Sequence, residues 1–572
     1  MRMSKNADHE CNRLNWSIDE YRTQMSRPFR HSSDRIHRMN GRQRQRYIQI
    51  IVKEKPIRFP SEESQMKNKI QRHRIAIELI LAAILLLFLL ALAASRLQYR
   101  DLGSGGGFEN FYSLKKDSLD YMVFGSSHAG CTVDDVKIWN DFGYAGYTLS
   151  AGSQPIEETY WFIKEALRTQ HPKVIFVETL LVNGNKRGEN GKFEKDLASI
   201  YRCDLGMRWS SSYCRMVMEQ SSMYGLSFDE TANLLLKLPI THARYAELVK
   251  SDYINPLPYN VGYYGSYETG IFDAPQLTDE RKEVDAQSLE YLGKIKALCD
   301  EKGIEVLFFH APYPETLDEC AVQNTISDFL REIGANYIDF IRIADEIGFD
   351  YQTDMRSDGS HLNNSGADKV TAWLENYLEK HNLSDHRGDI TYARWNESSR
   401  WMHALADQNT LSKVGMIDSF LQALGEMTSC YDILITFSGN YNVGTLAPTC
   451  FSPIGLTAED FMQGGSYLIQ NGNIVYSSAP AETYCDSFQT GSSPITFLRR
   501  QPAPEASSDE SGGYQGRNWN DGLYIETENY ALVVNGVNLV IYDPELNLVI
   551  DNIGVNVYDG TAVIRERDLN TN

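Results

Sequence analysis

Two periodicities alternate between residues 115 and 382. Short apolar runs predict strands over 121–124, 147–150, 173–179, 305–309 and 336–339. Apolar residues at three- and four-residue spacing predict helices over 156–169, 286–300, 317–333 and 365–380, with Ile156, Tyr160, Ile163 and Leu167 sharing one face of the first. Continuous apolar strands separated by amphipathic helices predict an α/β unit, a parallel sheet covered on both faces. Residues 181–284 break this rhythm. They are rich in Tyr, Asn and Gly, with helical pieces over 207–220 and 228–238. An insertion after the third strand falls at the carboxyl edge of the sheet, beside the expected ligand site. Its aromatics Tyr253, Tyr259, Tyr263, Tyr264 and Tyr267 either stack on sugars or pack an irregular loop region.

Beyond about residue 386 the alternation stops. Runs at 431–437, 466–470, 473–476, 530–534, 538–542 and 548–550 predict strands, and Asn471-Gly472 and Asn535-Gly536 predict tight hairpin turns. One amphipathic helix is predicted over 417–424, and 501–520 reads as a polar loop. The chain therefore divides into an α/β domain over 108–384 with the 181–284 insertion, and a β-rich accessory domain over 390–572 that shows no cluster of catalytic type.

One stretch is apolar without periodicity. Residues 75–95 have the length of a membrane-spanning helix, and their single charge, Glu78, lies near one end. Charge changes across this stretch. Residues 1–74 carry 18 Lys/Arg against 8 Asp/Glu, a surplus of ten bases in a chain of 572 residues whose formal net charge is -21, so the remainder is strongly acidic. The basic, apolar-poor 1–74 segment predicts cytoplasmic disorder, with contact between Arg42-Gln-Arg-Gln-Arg46 and anionic lipid as an alternative to plain solvation. The acidic bulk predicts an extracytoplasmic location and excludes a nucleic-acid role. A cleaved leader is the nearest rival, because Ala91-Leu-Ala93 has a cleavage-site pattern. The apolar core is too long for it, and so is the preceding region unless translation begins at Met66. A Gly-rich spacer, 103–107, follows the anchor. The nine cysteines make no metal-type CxxC pattern; pairs such as Cys203 and Cys214 are candidates for a bridge.

The chemistry rests on two separated motifs. The first strand runs into Gly125-Ser-Ser127, which predicts a sharp turn with Ser127 at a helix N-terminus, where backbone N–H groups favour developing negative charge. Far downstream, Asp358 stands three residues before His361, just ahead of a helix. A carboxylate so spaced orients an imidazole as base for a serine supplied from elsewhere. His128 is expected only to line the pocket. Glu178 is expected to be a structural hydrogen-bonding residue. His310, ending the fourth strand, is a candidate for substrate contact.

In order, spacing and context these motifs resemble the SGNH (GDSL-like) hydrolases and acyltransferases over about 115–382, and Gly-Ser-Ser is similar to the DltD-like, membrane-anchored members. The resemblance implies a flavodoxin-like three-layer fold. Ser127 would be the nucleophile, His361 the general base and Asp358 its orienting partner, with Gly152 and the Ser127 N–H as oxyanion donors. The family's Gly-x-Asn-Asp block is absent; Val177-Glu178-Thr179-Leu180 stands there. The missing donor leaves Gln154, Asn183 and His310 as candidates. The tail, through Asn535-Gly-Val-Asn-Leu-Val-Ile-Tyr-Asp-Pro544, Val549-Ile-Asp551 and Phe420-Leu-Gln-Ala-Leu424, resembles the interleukin-like EMT inducer domain with its segments in swapped order, which implies a glycan-binding module. The combined expectation is an anchored serine esterase or O-acyltransferase acting on O-acyl, chiefly acetyl, groups of envelope or exopolysaccharide. Its implied partners are glycan, the bilayer and a polytopic membrane acyltransferase; no cofactor or metal is implied. The alternative is a non-catalytic, anchored glycan-binding protein.

Overall fold

A computed structural model describes residues 41–42, 62–97, 107–184, 188, 190–194, 206–248, 259–442, 446–478, 483–500, 521–558 and 560–565. The expectations for 1–40 and 43–61, the 103–106 spacer, Cys203, Tyr253 and the 501–520 loop lie outside these residues. The chain forms two units, Met1–Ala91 and Leu92–Asn572. The first contributes most of helix Glu62–Leu97, in which Ile70–Leu90 is long and apolar enough to cross a membrane. The one carboxylate of that stretch, Glu78, is paired with Arg74 one turn earlier at 2.9 Å.

The second unit opens with a five-stranded parallel sheet. Strands β1 (Tyr121–Gly125), β2 (Gly146–Ser150), β3 (Val174–Glu178), β4 (Glu305–His310) and β5 (Asn336–Asp339) lie in the order β2-β1-β3-β4-β5. β1, β2 and β3 are buried along their whole length, as expected of continuous apolar runs in a sheet covered on both faces. Helices Ile156–Ala166, Ala286–Lys302, Leu317–Glu332 and Asn364–Leu378 fall close to the predicted spans. One core, including Phe124, Phe162, Ile175 and Tyr291, fills one side of the sheet; the other, including Val123, Phe176, Phe309 and Leu374, fills the opposite side. Strand order reverses between β1 and β3, the switch point at which open α/β sheets hold ligands beyond their carboxyl ends.

The C-terminal half is an antiparallel β region. β6 (Asp432–Ser438), β7 (Gly465–Gln470), β8 (Asn473–Ser477), β13 (Gly536–Asp543) and β14 (Leu548–Asn556) form one sheet in the order β14-β13-β6-β7-β8. β9 (Tyr484–Thr490), β10 (Ser493–Arg499), β11 (Asp521–Ile525) and β12 (Glu528–Asn529) form a second. Leu434, Leu468, Val540, Ile495, Phe497 and Leu523 pack between the two sheets.

Two expectations are corrected here. Residues 530–534 are not a strand, and Asn535-Gly536 is not its hairpin. Instead Asn538 reaches back, its side-chain oxygen accepting from the N–H groups of Leu532 (2.7 Å) and Val533 (2.8 Å), so Ala531–Val533 is buried irregular chain and Val534 is exposed. The 20-residue helix Ala393–Ser412 was not foreseen. Its Trp395 packs in the α/β core, whereas Ala404 and Leu411 pack in the β core. No single apolar face runs its length, so its sequence carries no helical stripe. The Trp395 indole N–H donates to the carbonyl of Gly146 in β2 at 3.0 Å, tying this helix to the parallel sheet.

Candidate active site

The turn after β1 depends on Gly125. Its φ is +150°, and a Cβ there would stand 2.7 Å from the Cβ of Glu178. Only a residue without a side chain lets β1 pass this close to β3. Ser126 caps the following helix, Ser127–Thr132; its hydroxyl accepts from the His128 N–H at 3.2 Å and donates to Glu178 Oε2 at 2.8 Å. Glu178 also accepts from the Ser126 N–H at 3.4 Å and from the Leu180 N–H. Burial raises the Glu178 pKa, and these donors together with His310 only partly offset it. The residue standing where a Gly-x-Asn-Asp block was absent therefore tethers the turn that presents Ser127.

Asp358 and His361 lie in the loop between residue 355 and helix Asn364–Leu378. His361 Nε2 lies 2.8 Å from Ser127 Oγ, and His361 Nδ1 lies 2.8 Å from Asp358 Oδ2. The other carboxylate oxygen, Asp358 Oδ1, accepts from the N–H groups of Ser360 (2.8 Å) and His361 (3.0 Å). Partial burial works to raise the Asp358 pKa, but the two N–H donors and the imidazole outweigh it and hold the carboxyl below its usual range. The three groups thus form one continuous line, with acceptor-only carboxylate at one end and hydroxyl at the other.

The loop is braced from several sides. The Arg356 N–H donates to the His361 carbonyl at 2.8 Å, and its guanidinium donates to the carbonyls of Leu362 (2.8 Å) and Tyr264. Asn363 caps the following helix and sends its amide N–H groups to Glu268, Thr353 and Met355. Gly359, at φ +69°, lies against the Phe272 ring. The insertion therefore walls the loop with residues 264–272. Arg356, Ser360, Asn363 and Phe272 were missed by sequence reasoning. No motif marks them, since they act through backbone carbonyls and ring packing around the loop.

His128 is buried beside the line. Its Nε2 lies 2.9 Å from Ser360 Oγ, and its ring is 5.1 Å from that of His361 and 5.3 Å from that of Tyr313. Burial first, and then the neighbouring imidazoles of His361 and His310, push its pKa down to about 3, so it is neutral at any physiological pH. It joins the helix carrying Ser127 to the loop carrying His361.

The remaining candidates fall elsewhere. His310 is fully buried, with Nε2 3.1 Å from Glu315 Oε2. Burial lowers its pKa, but the carboxylates of Glu315, Asp339 and Glu178 more than reverse this. β4 aims its last side chain into the interior, so His310 offers no surface to a substrate. Gln154 is buried and donates to Thr159 Oγ1 at 2.8 Å. Asn183 accepts from the Asp285 N–H at 3.1 Å, at the start of helix Ala286–Lys302. Among the described residues, neither hydrogen-bonds to Ser127 or His361. Gly152 follows β2 by two residues, partly exposed. Tyr263 is buried, and its hydroxyl bonds Asn364 Oδ1 at 2.9 Å. Tyr259 packs against the β core, and Tyr264 and Tyr267 are exposed, Tyr264 beneath the Arg356 guanidinium. The seven described cysteines, Cys214 among them, are free thiols. No group of metal-binding side chains occurs among the described residues.

No family model matches the chain, and no curated protein matches it. Among solved structures it is similar to a "putative acylhydrolase" from Bacteroides fragilis, at 11% identity over 49% of this chain and 99% of that chain, with a TM-score of 0.25. A likeness at that score says nothing about the chemistry of this chain.

Proposed function

We propose that this protein is a membrane-anchored, extracytoplasmic serine esterase or O-acyltransferase of SGNH type. The observation that carries this reading is the unbroken line from Ser127 Oγ through His361 to Asp358, with 2.8 Å at each step. In its resting form His361 carries its proton on Nδ1, donated to Asp358, and Nε2 accepts from the Ser127 hydroxyl. When Ser127 Oγ attacks an ester carbonyl, its proton passes to Nε2 and the carbonyl oxygen becomes an oxyanion. The Ser127 N–H, at the helix N-terminus, and the Gly152 N–H are the candidate donors to it. Collapse expels the alcohol, which takes the proton from Nε2 and leaves Ser127 acylated. Water or a sugar hydroxyl then gives its proton to His361, attacks the acyl carbon and frees Ser127.

The substrate assignment rests on the resemblance to DltD-like proteins: O-acyl groups, chiefly acetyl, on envelope or exopolysaccharide, with a polytopic membrane acyltransferase as the acyl source in the transfer mode. The apolar Ile70–Leu90 helix and the basic segment before it support anchoring with the second unit outside. The test is labelling of the purified full chain by an alkyl fluorophosphonate, together with turnover of an aryl acetate. Labelling that disappears in Ser127→Ala is the expected result. A folded protein that neither labels nor turns over ester leaves the glycan-binding alternative in possession.

A further inference from the structure

Residues 259–272 of the insertion bind both halves of the catalytic line. They begin along the edge of the parallel sheet. There the Val261 carbonyl accepts from the Thr148 N–H of β2 at 3.0 Å. Gly262 stands at φ +112°, and a Cβ on it would lie 1.9 Å from the Thr148 carbonyl oxygen, so only glycine lets the chain pass this close. Tyr264 then bonds both reacting halves through its own peptide groups. Its N–H donates at 2.7 Å to the carbonyl of Gly130, in the helix that opens with Ser127. Its carbonyl accepts from the guanidinium of Arg356, in the loop that carries His361. Further along, the Glu268 carboxylate accepts from the Ser357 hydroxyl at 2.7 Å, and the Gly270 N–H donates to the Met355 carbonyl at 2.9 Å.

The near end of this segment is held by the antiparallel β region. The Tyr259 ring packs against the β core, and its carbonyl accepts from the hydroxyl of Ser398, a fully buried residue of helix Ala393–Ser412. Between Tyr259 and Tyr264 the chain has no slack. Asn260, Val261 and Tyr263 are buried. The Asn260 side chain closes the turn on itself: its amide donates to the Tyr263 carbonyl at 2.9 Å, and its oxygen accepts from the Gly262 N–H. A short, buried, internally bonded turn passes a shift of Tyr259 on to Tyr264 instead of absorbing it. A misplacement of about 1 Å at the reacting groups costs on the order of 10²-fold in rate. We propose that the β region is a working part of the active site, with Tyr259 as a positioning residue that, through Tyr264, fixes the approach of His361 to Ser127. The proposal rests on the serine-enzyme reading and adds to it, because that reading gives the β region no part in the reaction.

The test compares the purified full chain with Tyr259→Ala, Tyr259→Phe and Ser398→Ala, reading fluorophosphonate labelling of Ser127 and amide hydrogen exchange. Labelling is expected to slow about tenfold in Tyr259→Ala and about threefold in Ser398→Ala, and to stay within about twofold of native in Tyr259→Phe, which keeps the ring. In Tyr259→Ala the amides of Tyr264, Gly270 and Arg356 are expected to exchange about tenfold faster, while those of β6 and β13 keep their native rates. Exchange that quickens evenly through the chain means a merely structural loss and overturns the proposal. Native labelling rates in both Tyr259→Ala and Ser398→Ala overturn it as well. A native chain that does not label at all overturns the serine-enzyme reading, and the proposal with it.

Discussion

Asp358→Asn gives the sharpest test of the catalytic line, because the surrounding geometry dictates which way the new amide points. In the native loop Oδ1 accepts from two backbone N–H groups, those of Ser360 and His361. An asparagine keeps both bonds only with its carbonyl oxygen in that place. Its NH2 group must then occupy the Oδ2 position, 2.8 Å from His361 Nδ1. Two donors cannot face each other, so Nδ1 must become the acceptor and the imidazole proton moves to Nε2. That nitrogen now donates toward Ser127 and cannot take its proton. The same tautomer trap in a serine hydrolase triad lowers turnover about 10⁴-fold, a barrier increase of about 5.4 kcal/mol at 1.36 per decade. Stability should barely change, within about 0.5 kcal/mol, since the loop bonds persist and nearly half the side chain is in water. The assay is the rate of fluorophosphonate labelling alongside a urea melt. A variant that labels at more than one tenth of the native rate with an unchanged melt would refute the orienting role given to Asp358.

Three further outcomes are expected. Gly125→Ala puts a Cβ 2.7 Å from the Glu178 Cβ at a φ of +150°; it should cost about 1–3 kcal/mol in a denaturant melt and slow labelling of Ser127, and an unchanged melt would mean the turn relaxes freely. Arg356→Met removes the donors to the Leu362 and Tyr264 carbonyls; two charge-assisted bonds at roughly 1.5 each make a loss of about 3 kcal/mol, and labelling within twofold of native would show that the loop does not need the brace. Asp135 is fully buried, and burial pushes its pKa up to about 7, the hydroxyls of Thr148 and Tyr121 offsetting only part. A raised carboxyl costs stability above its folded pKa and none below its unfolded one, so the melting temperature should fall as pH rises from 4 toward 8; Asp135→Asn should flatten that decline, recovering on the order of 4 kcal/mol at pH 8, and a parallel pH curve in the variant would refute the assignment.

Much of the α/β half was legible because its strands are continuous apolar runs and its helices carry one apolar face. β1, β2 and β3 each end within a residue or two of the predicted limit. Helix Ala393–Ser412 was not legible, since it splits its apolar residues between two cores. Nor were β9, β10 and β11: β9 exposes Cys485, Asp486, Ser487 and Gln489, β10 opens on Ser493-Pro494, and β11 is only the five residues Asp521–Ile525 with a glycine second, too few apolar signals to stand out from loop. The Tyr530–Val534 reading failed for the opposite reason: its residues are apolar, but the N–H groups of Ala531, Leu532 and Val533 are taken by side chains, Asn529 for the first and Asn538 for the other two, rather than by a neighbouring strand. Apolar pattern reports burial, and burial alone does not choose between strand and irregular chain.

The site shows the same division. Ser127, Asp358 and His361 were readable because their chemistry restricts residue type and their spacing restricts geometry. The groups that hold them in place were not, because their work is done through backbone carbonyls and N–H groups that any sequence supplies. Glu178 shows how much that matters. It stands on β3 where an oxyanion-donating block was looked for, yet as an acceptor-only carboxylate it cannot serve an oxyanion, which would repel it. What it can do is accept from Ser126 and Leu180 at the switch point of the sheet, where β1 and β3 lie side by side. The contacts of Glu178 are thus those of a tether on the turn that carries Ser127. Glu178→Gln offers one amide oxygen, which in the Oε2 place can still accept from the Ser126 hydroxyl and N–H but turns its NH2 group toward the Leu180 N–H, so the variant should label more slowly while retaining the parallel sheet, and Glu178→Ala should lose both. If both variants labelled at the native rate, the tether would be incidental, and the precision of the Ser127 turn would have to come from Gly125 and the helix cap alone.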